Sequence, residues 1–178
     1  MTRFEIEDCL KSMEILVDTR EQPSQRATDR YNAFGCPWRR QTLMFGDYTY
    51  NFTMPDGRKL HSDNVTVSGD AVIERKMSLT ELSGCFCHSR QRFKAEFEKA
   101  IDKGSSVYLL VEDASWEKLM TGKYNTRFRP EAFLASMLAW SIRYNIKPIF
   151  CRKESSGRII KEILYRELKE RLERGVYG

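Results

Sequence analysis

An almost wholly apolar run, Val107-Tyr108-Leu109-Leu110-Val111-Glu112, limits the folds open to this chain more than any other segment. A strand that faces water on one side alternates polar and apolar residues, whereas a run without alternation is typical of a strand covered on both faces. Helical apolar spacing flanks the run at 90–102 and 130–144, and a further strand (146–151) and a charged helix (159–174) follow. The second half of the chain therefore predicts helices packed on both faces of a sheet.

The first half of the chain contains strands separated by turns. The candidate strands cover 14–17, 38–43, 48–52 and 71–76. Turn signals such as Pro55-Asp56-Gly57 separate them, so we expect these strands to form a β-meander. Residues 1–12 are expected to be a short helix or a loosely held lead-in. The two halves together predict one α/β domain over 1–178, with a single mixed β-sheet flanked by helices.

The composition fits a folded chain with a polyanionic partner. At 178 residues with 41% hydrophobic residues, the chain can form one adequate core. Its net charge of +5 is compatible with binding to nucleic acid. No apolar run approaches the ~20 residues that span a bilayer, no secretory signal is visible, and the scattered cysteines indicate reduced thiols. We expect no membrane contact and a cytoplasmic location, in a nucleoid or phage-infected cell, or in the nucleus of a eukaryote.

The strand Ala71-Val72-Ile73-Glu74-Arg75-Lys76 places charged residues at one end of an apolar segment. Because side chains alternate faces along a strand, Glu74 and Lys76 share one face and Arg75 points to the other. A carboxylate in that position can hold a divalent cation, while the ammonium neutralises a phosphate or orients a water molecule. The same pair is equally compatible with an ordinary solvated cross-strand ion pair.

Three further acids at strand ends and turns favour the chemical interpretation. Asp18 and Glu21 follow the first strand, and Asp47 lies in a turn before the third. Metal-assisted phosphodiester hydrolysis needs carboxylates that fix Mg²⁺ and a cation that stabilises the crowded phosphate. An acid followed along the chain by acid-x-lysine is typical of a restriction-type nuclease core.

Three motifs make the chain resemble the XPF-type structure-specific endonuclease family over about 15–163. The motifs are Asp18-Thr19-Arg20-Glu21, Gly46-Asp47-Tyr48 and Glu74-Arg75-Lys76. The resemblance implies a restriction-endonuclease-like nuclease core and a defined catalytic set. That set is Asp18, Glu21, Asp47, Glu74, Arg75 and Lys76.

The resemblance also implies a role for each of these residues. Asp18, Asp47 and Glu74 would bind the metal, with Glu21 helping to organise it. Lys76 would orient the attacking water or stabilise the charge of the transition state. Arg20 and Arg75 would contact phosphate or hold neighbouring acids in place.

Two departures from the family pattern bear on substrate and site. The family commonly has an aspartate four positions after its lysine, where this chain has Thr80 followed by Glu81. Glu81 also fits a capping box with Ser78, so we place it outside the site. Many relatives add tandem helix-hairpin-helix modules that grip DNA, and none is visible before Gly178. The preferred DNA structure therefore stays open.

We expect a Mg²⁺-dependent endodeoxyribonuclease, able to use Mn²⁺, that cuts branched, flap or junction DNA. The alternative is a non-catalytic DNA-binding or dimerisation partner on the same fold, although such partners tend to lose the site residues that this chain keeps. A restriction-like nuclease without structure preference is a third possibility.

Four basic residues are candidates for DNA contact. They are Arg20, Arg90, Arg92 and Lys94. The last three lie on one predicted helix and are equally compatible with an ordinary solvated face. The loop tip from Tyr124 to Phe128 could stack on bases or pack on its own domain.

A homodimer is the expected assembly. The predicted helix 131–144 carries more large apolar residues than one stripe needs, among them Phe133, Met137 and Trp140. A second copy could cover this surplus through the same helix and the C-terminal helix, as the family resemblance implies. Alternatively, the C-terminal helix of the same chain could cover it.

Overall fold

The computed structural model describes residues 1–178 and contains one six-stranded sheet with seven α-helices. The strands are β1 (Glu14–Asp18), β2 (Trp38–Gln41), β3 (Tyr48–Asn51), β4 (Ala71–Lys76), β5 (Ser106–Glu112) and β6 (Ile146–Cys151). The helices are α1 (Arg3–Lys11), α2 (Gln25–Asn32), α3 (Leu79–Cys87), α4 (Arg90–Asp102), α5 (Trp116–Met120), α6 (Pro130–Arg143) and α7 (Ser156–Glu173). None of the helices is both long enough and apolar enough to cross a membrane.

The sheet is mixed, as expected, but the first half of the chain is not a β-meander. The strand order is β2-β1-β3-β4-β5-β6, so β1 lies between β2 and β3. β2 pairs with β1 in parallel because α2 carries the chain back before β2 begins. β3 is antiparallel to both β1 and β4, whereas β4, β5 and β6 run parallel.

Helices cover both faces of the sheet, which confirms the interpretation of the apolar run at β5. Leu110 packs in a core formed with α1, α2 and α7. Val107, Leu109 and Val111 point the other way, into a second core formed with α3, α4, α5 and α6. We call these the α7 face and the α4 face of the sheet. Alternation along β4 then assigns Ile73 to the α7 face and Val72 to the α4 face.

Local capping signals hold where the sequence predicted them. The Ser78 hydroxyl accepts from the Glu81 N–H at 3.2 Å, and the Glu81 carboxylate accepts from the Met77 N–H at 2.6 Å. The Glu81 carboxylate therefore caps the N-terminus of α3. The short helix α5, capped by Ser115, precedes the loop whose tip runs from Tyr124 to Phe128.

The apolar surplus of α6 is covered within the chain, which corrects the proposed dimer contact. Phe133, Met137 and Trp140 are buried. Trp140 packs 4.8 Å from Phe86 and 5.5 Å from Phe93, measured between ring centroids. These aromatic partners come from α3 and α4. The C-terminal helix α7 lies on the opposite face of the sheet, so it is not the cover either.

Candidate active site

Three neighbouring strands bring the predicted carboxylates together at one end of the sheet. β3 is antiparallel to β1 and β4, so the start of β3 meets the ends of both neighbours. The Asp18 N–H donates to the Asp47 carbonyl at 2.9 Å, and the Asp47 N–H donates to the Ile73 carbonyl at 2.8 Å. Asp47 therefore lies between Asp18 and Glu74 at this end of the sheet.

The glycine before Asp47 is required by the backbone. Gly46 has a φ of 73°, in the left-handed region that residues with a side chain rarely adopt. A Cβ atom there would also lie 3.1 Å from the Cβ of Val72 on the adjacent strand. This close approach lets the Asp47 carboxylate accept from the Arg75 N–H at 2.7 Å. Burial and the adjacent charge of Glu74 raise the pKa of Asp47 well above its ordinary value.

Glu74 and Lys76 form an ion pair on the α4 face, where strand alternation predicted both. Their side chains are only 15% and 12% exposed, and the Lys76 ammonium donates to Glu74 Oε1. Lys76 Nζ also lies 5.3 Å from the centroid of the Phe93 ring. Burial alone would lower the pKa of Lys76, but the carboxylates of Glu74 and Asp47 raise it above its ordinary value. Lys76 is therefore a fixed positive charge in this arrangement.

Asp18 and Arg20 form a second ion pair beside the carboxylates. Asp18 is buried, and its Oδ1 accepts from the Leu43 N–H at 3.2 Å. Arg20 Nε donates to Asp18 Oδ2, and Arg20 Nη2 donates to the Leu43 carbonyl at 3.1 Å. The Arg20 side chain remains 56% exposed. Arg20 thus holds its neighbouring acid and still presents its guanidinium to solvent.

Glu21 and Arg75 lie on the α7 face, apart from the Asp47–Glu74 pair. Arg75 donates to Glu21 at 2.9 Å and to Glu112 at 3.4 Å. Arg30 donates to the same two acids, at 3.2 Å and 3.1 Å. The structure thus places Glu21 and Arg75 in one ion-pair network, and their direct part in catalysis stays a prediction. Arg75 holds neighbouring acids, one of the two roles that the resemblance implied.

The sequence did not indicate three charged residues that belong to this part of the molecule. Arg30 and Glu112 complete the network on the α7 face, and both are buried. Glu112 ends the apolar run of β5, and a charged residue in an otherwise apolar strand was a sequence signal that could have indicated it. Glu96, on α4, lines a small pocket with Glu74. Its helix looked like an ordinary amphipathic one, so no pattern marked it.

The three basic residues predicted on α4 differ in whether their charged groups contact other side chains of the protein. Arg90 stacks on Trp140, with 5.2 Å from its guanidinium carbon to the ring centroid. Lys94 pairs with Glu98 at 3.1 Å. Arg92 is exposed and forms no ion pair within 4.0 Å, so it is the free cation of the three.

The aromatic loop tip packs on its own domain. The Tyr124 ring lies 5.3 Å and the Phe128 ring 5.0 Å from Phe133, between centroids. The Tyr124 hydroxyl also donates to the Phe128 carbonyl at 2.7 Å. Both rings are therefore engaged within the chain, which confirms the packing interpretation.

The carboxylate oxygens of Asp47 and Glu74 are suitable ligands for a hard divalent cation. No three acidic, histidine or cysteine side chains converge as a preformed metal cage. Mg²⁺ does not need one, because it is usually held by one or two carboxylates, several water molecules and substrate phosphate. Two adjacent carboxylates repel each other, and a bound cation would relieve that repulsion. The residues present are therefore suited to Mg²⁺ or Mn²⁺.

Comparison with solved structures shows the fold. XPF from Aeropyrum pernix matches with a TM-score of 0.59 and 18% identity, over 86% of this chain and 61% of that chain. The same protein in complex with DNA matches with a TM-score of 0.59 and 19% identity, over 89% and 66%. This chain thus spans about three fifths to two thirds of those chains.

Comparison with protein families identifies the chain, whereas no curated protein matches it. The model of the ERCC4 domain matches residues 17–163. That range includes all six strands except the first three residues of β1, and all three motifs. The chain therefore belongs to the ERCC4 domain family, whose members are nucleases.

Proposed function

We propose that this chain is a divalent-metal-dependent endonuclease that hydrolyses phosphodiester bonds in branched, flap or junction DNA. The observation that carries the proposal is the meeting of Asp47, Glu74 and Lys76 on one face of the sheet. Two acids and a fixed cation in one place are the groups that phosphodiester hydrolysis needs. We propose further that residues 1–178 act as one nuclease domain.

Each residue on the α4 face has a distinct part in this proposal. Asp47 and Glu74 hold the cation, and Asp18 fixes the Arg20 guanidinium. A divalent cation bound there supplies charge neutralisation and makes a water molecule a better nucleophile. Lys76 adds a positive charge that stabilises the phosphate as negative charge develops. Arg20 reaches solvent from the same face and contacts a phosphate of the bound strand.

The network on the α7 face supports the site without touching substrate. Arg75 lies between Glu74 and Lys76 in β4, so its bonds to Glu21 and Glu112 fix the strand that carries both. Arg30 ties the same acids to α2. We propose that Glu21 and Arg75 are positioning residues rather than catalytic ones.

Substrate choice tests the finer part of the proposal. Labelled flap, fork, Holliday-junction and plain duplex DNA, matched in sequence, would be incubated with the protein and Mg²⁺ or Mn²⁺. We expect faster cleavage of the branched substrates, at positions set by the branch. Equal rates on all four would instead indicate a nuclease without structure preference. Binding to branched DNA with no cleavage would favour the non-catalytic partner.

We expect DNA affinity to depend strongly on salt, with Arg92 as one contributor. Each phosphate that a basic residue neutralises adds about −0.9 to the log–log slope of affinity against salt. Arg92→Ala should therefore make the slope about one unit shallower. Lys94→Ala is the matched control on α4, because Glu98 already neutralises Lys94. Fluorescence anisotropy between about 50 and 200 mM salt gives both slopes. Equal slopes for Arg92→Ala and wild type would exclude contact at Arg92.

A homodimer remains part of the proposal, through the outer side of α6. With Phe133, Met137 and Trp140 buried, the large apolar residues that α6 exposes are Leu138 and Ile142, the latter 84% exposed. Light scattering at micromolar concentration should give about twice the chain mass of 20.9 kDa. Ile142→Glu should then return the mass to that of one chain. A wild-type mass of one chain would reject the dimer.

A further inference from the structure

Each of the two carboxylate oxygens of Asp18 accepts a hydrogen bond from the protein, Oδ1 from the Leu43 N–H and Oδ2 from Arg20 Nε. Asp47 and Glu74 differ in this respect. Asp47 uses Oδ2 for the Arg75 N–H, and Glu74 uses Oε1 for Lys76. Each therefore keeps one carboxylate oxygen without a protein donor. A cation held by these two oxygens would carry water molecules that need further acceptors.

Glu96 brings another carboxylate to this place. Its side chain lines a small pocket together with Glu74 and with Gly46, the neighbour of Asp47. The other lining residues are apolar: Phe45, Val72, Phe97, Ala100 and Val107. Glu96 is 23% exposed, and its nearest basic partner is Lys99 Nζ at 3.6 Å, beyond good hydrogen-bond distance. The Glu96 carboxylate thus accepts no hydrogen bond from the protein and is free to accept one from a water molecule.

We propose that Glu96 strengthens divalent-cation binding at the Asp47–Glu74 pair by accepting hydrogen bonds from the water shell of the cation. This inference rests on the proposed metal-dependent function. Binding through water follows from two observations: no three acids form a preformed cage, and Mg²⁺ keeps several of its water molecules. Glu96 is then a positioning residue of the metal site. Loss of such an outer partner typically lowers metal affinity by about 10- to 100-fold.

Mn²⁺ binding to the full chain, measured by calorimetry and by electron paramagnetic resonance, tests this role without any cleavage assay. Glu96→Gln should weaken Mn²⁺ affinity by about 10-fold or more. Glu98→Gln is the matched control, because Glu98 lies on the same helix, is 48% exposed and pairs with Lys94. It should bind Mn²⁺ within about twofold of wild type, since general attraction between charges is weak at an exposed position. Without metal, Glu96→Gln should unfold at the wild-type temperature or slightly above it, because it removes a like charge.

The outcomes separate this inference from the function on which it rests. Wild-type Mn²⁺ affinity in Glu96→Gln, with weakened binding in Glu74→Gln, would overturn the role of Glu96 and leave the metal site standing. Equal weakening in Glu96→Gln and Glu98→Gln would also overturn it, because the effect would then be general charge. Absence of Mn²⁺ binding by wild type would overturn both the proposed metal site and the role of Glu96.

Discussion

Replacing Asp47 by Asn is expected to reduce DNA cleavage by at least ~10²–10³-fold at saturating Mg²⁺. The amide can still accept from the Arg75 N–H, so the turn that Gly46 permits should persist. What is lost is one of the two carboxylates that hold the cation. Single-turnover cleavage of a labelled flap substrate measures this loss directly, because it isolates the chemical step from product release.

The control for Asp47→Asn is Asp102→Asn, at the exposed end of α4. It removes the same charge far from the proposed chemistry and should cleave at the wild-type rate. Asp47→Asn should also keep its DNA affinity in the absence of metal, because the basic residues are unchanged. Wild-type cleavage by Asp47→Asn would show that the cation is held elsewhere.

Replacing Glu112 by Gln is expected to lower the free energy of unfolding by about 3–5 kcal/mol. Glu112 is fully buried and accepts from Arg26, Arg30 and Arg75. Removing its charge leaves Arg30 and Arg75 with Glu21 as their remaining acidic partner, and Arg26 with Asp113 at 3.4 Å. Buried charges that lose a partner are strongly destabilising. Urea unfolding followed by circular dichroism gives the difference. Glu170→Gln, which breaks an exposed pair with Arg174, should change stability by less than about 1 kcal/mol.

The stabilising effect of Glu112 should depend on pH in a defined direction. Burial opposes its ionisation, but the Ser156 hydroxyl and the Arg30 and Arg75 guanidiniums hold the pKa of Glu112 below its ordinary value of 4.5. A lowered pKa means that the contribution is complete above about pH 4.5 and is lost as the pH falls through the lower folded value. The gap between wild type and Glu112→Gln should therefore shrink below pH 4.5. A gap that stays constant into strong acid would contradict this account.

Strand alternation predicted the division of β4 correctly, but not what lies opposite each face. Glu74 and Lys76 share the α4 face and Arg75 takes the other, because a pleated strand leaves no alternative. Glu21 is different, since it follows the end of β1 in a turn where alternation no longer applies. Its partners are Arg30 on α2 and Arg75 on β4, the latter 54 residues along the chain. A single sequence carries no local signal for such contacts.

Long-range packing explains the other differences between prediction and structure. The β-meander failed because β2 pairs with β1 through the α2 crossover, and periodicity does not reveal strand order. The apolar surplus on α6 was recognised, but its cover was not. Phe86, Phe93 and Phe97 supply that cover from α3 and α4. Apolar residues predict that something packs on them and do not say which element does so.

Metal-dependent cleavage by the purified chain is the most direct test of the proposed function. A labelled flap substrate would be incubated with wild type, with Glu74→Gln and with no protein, each in Mg²⁺, in Mn²⁺ and in EDTA. The meeting of Asp47, Glu74 and Lys76 predicts cleavage by wild type in both metals, none in EDTA and almost none by Glu74→Gln. Cleavage that persists in EDTA, or wild type that binds the substrate in both metals and never cuts it, would contradict the account.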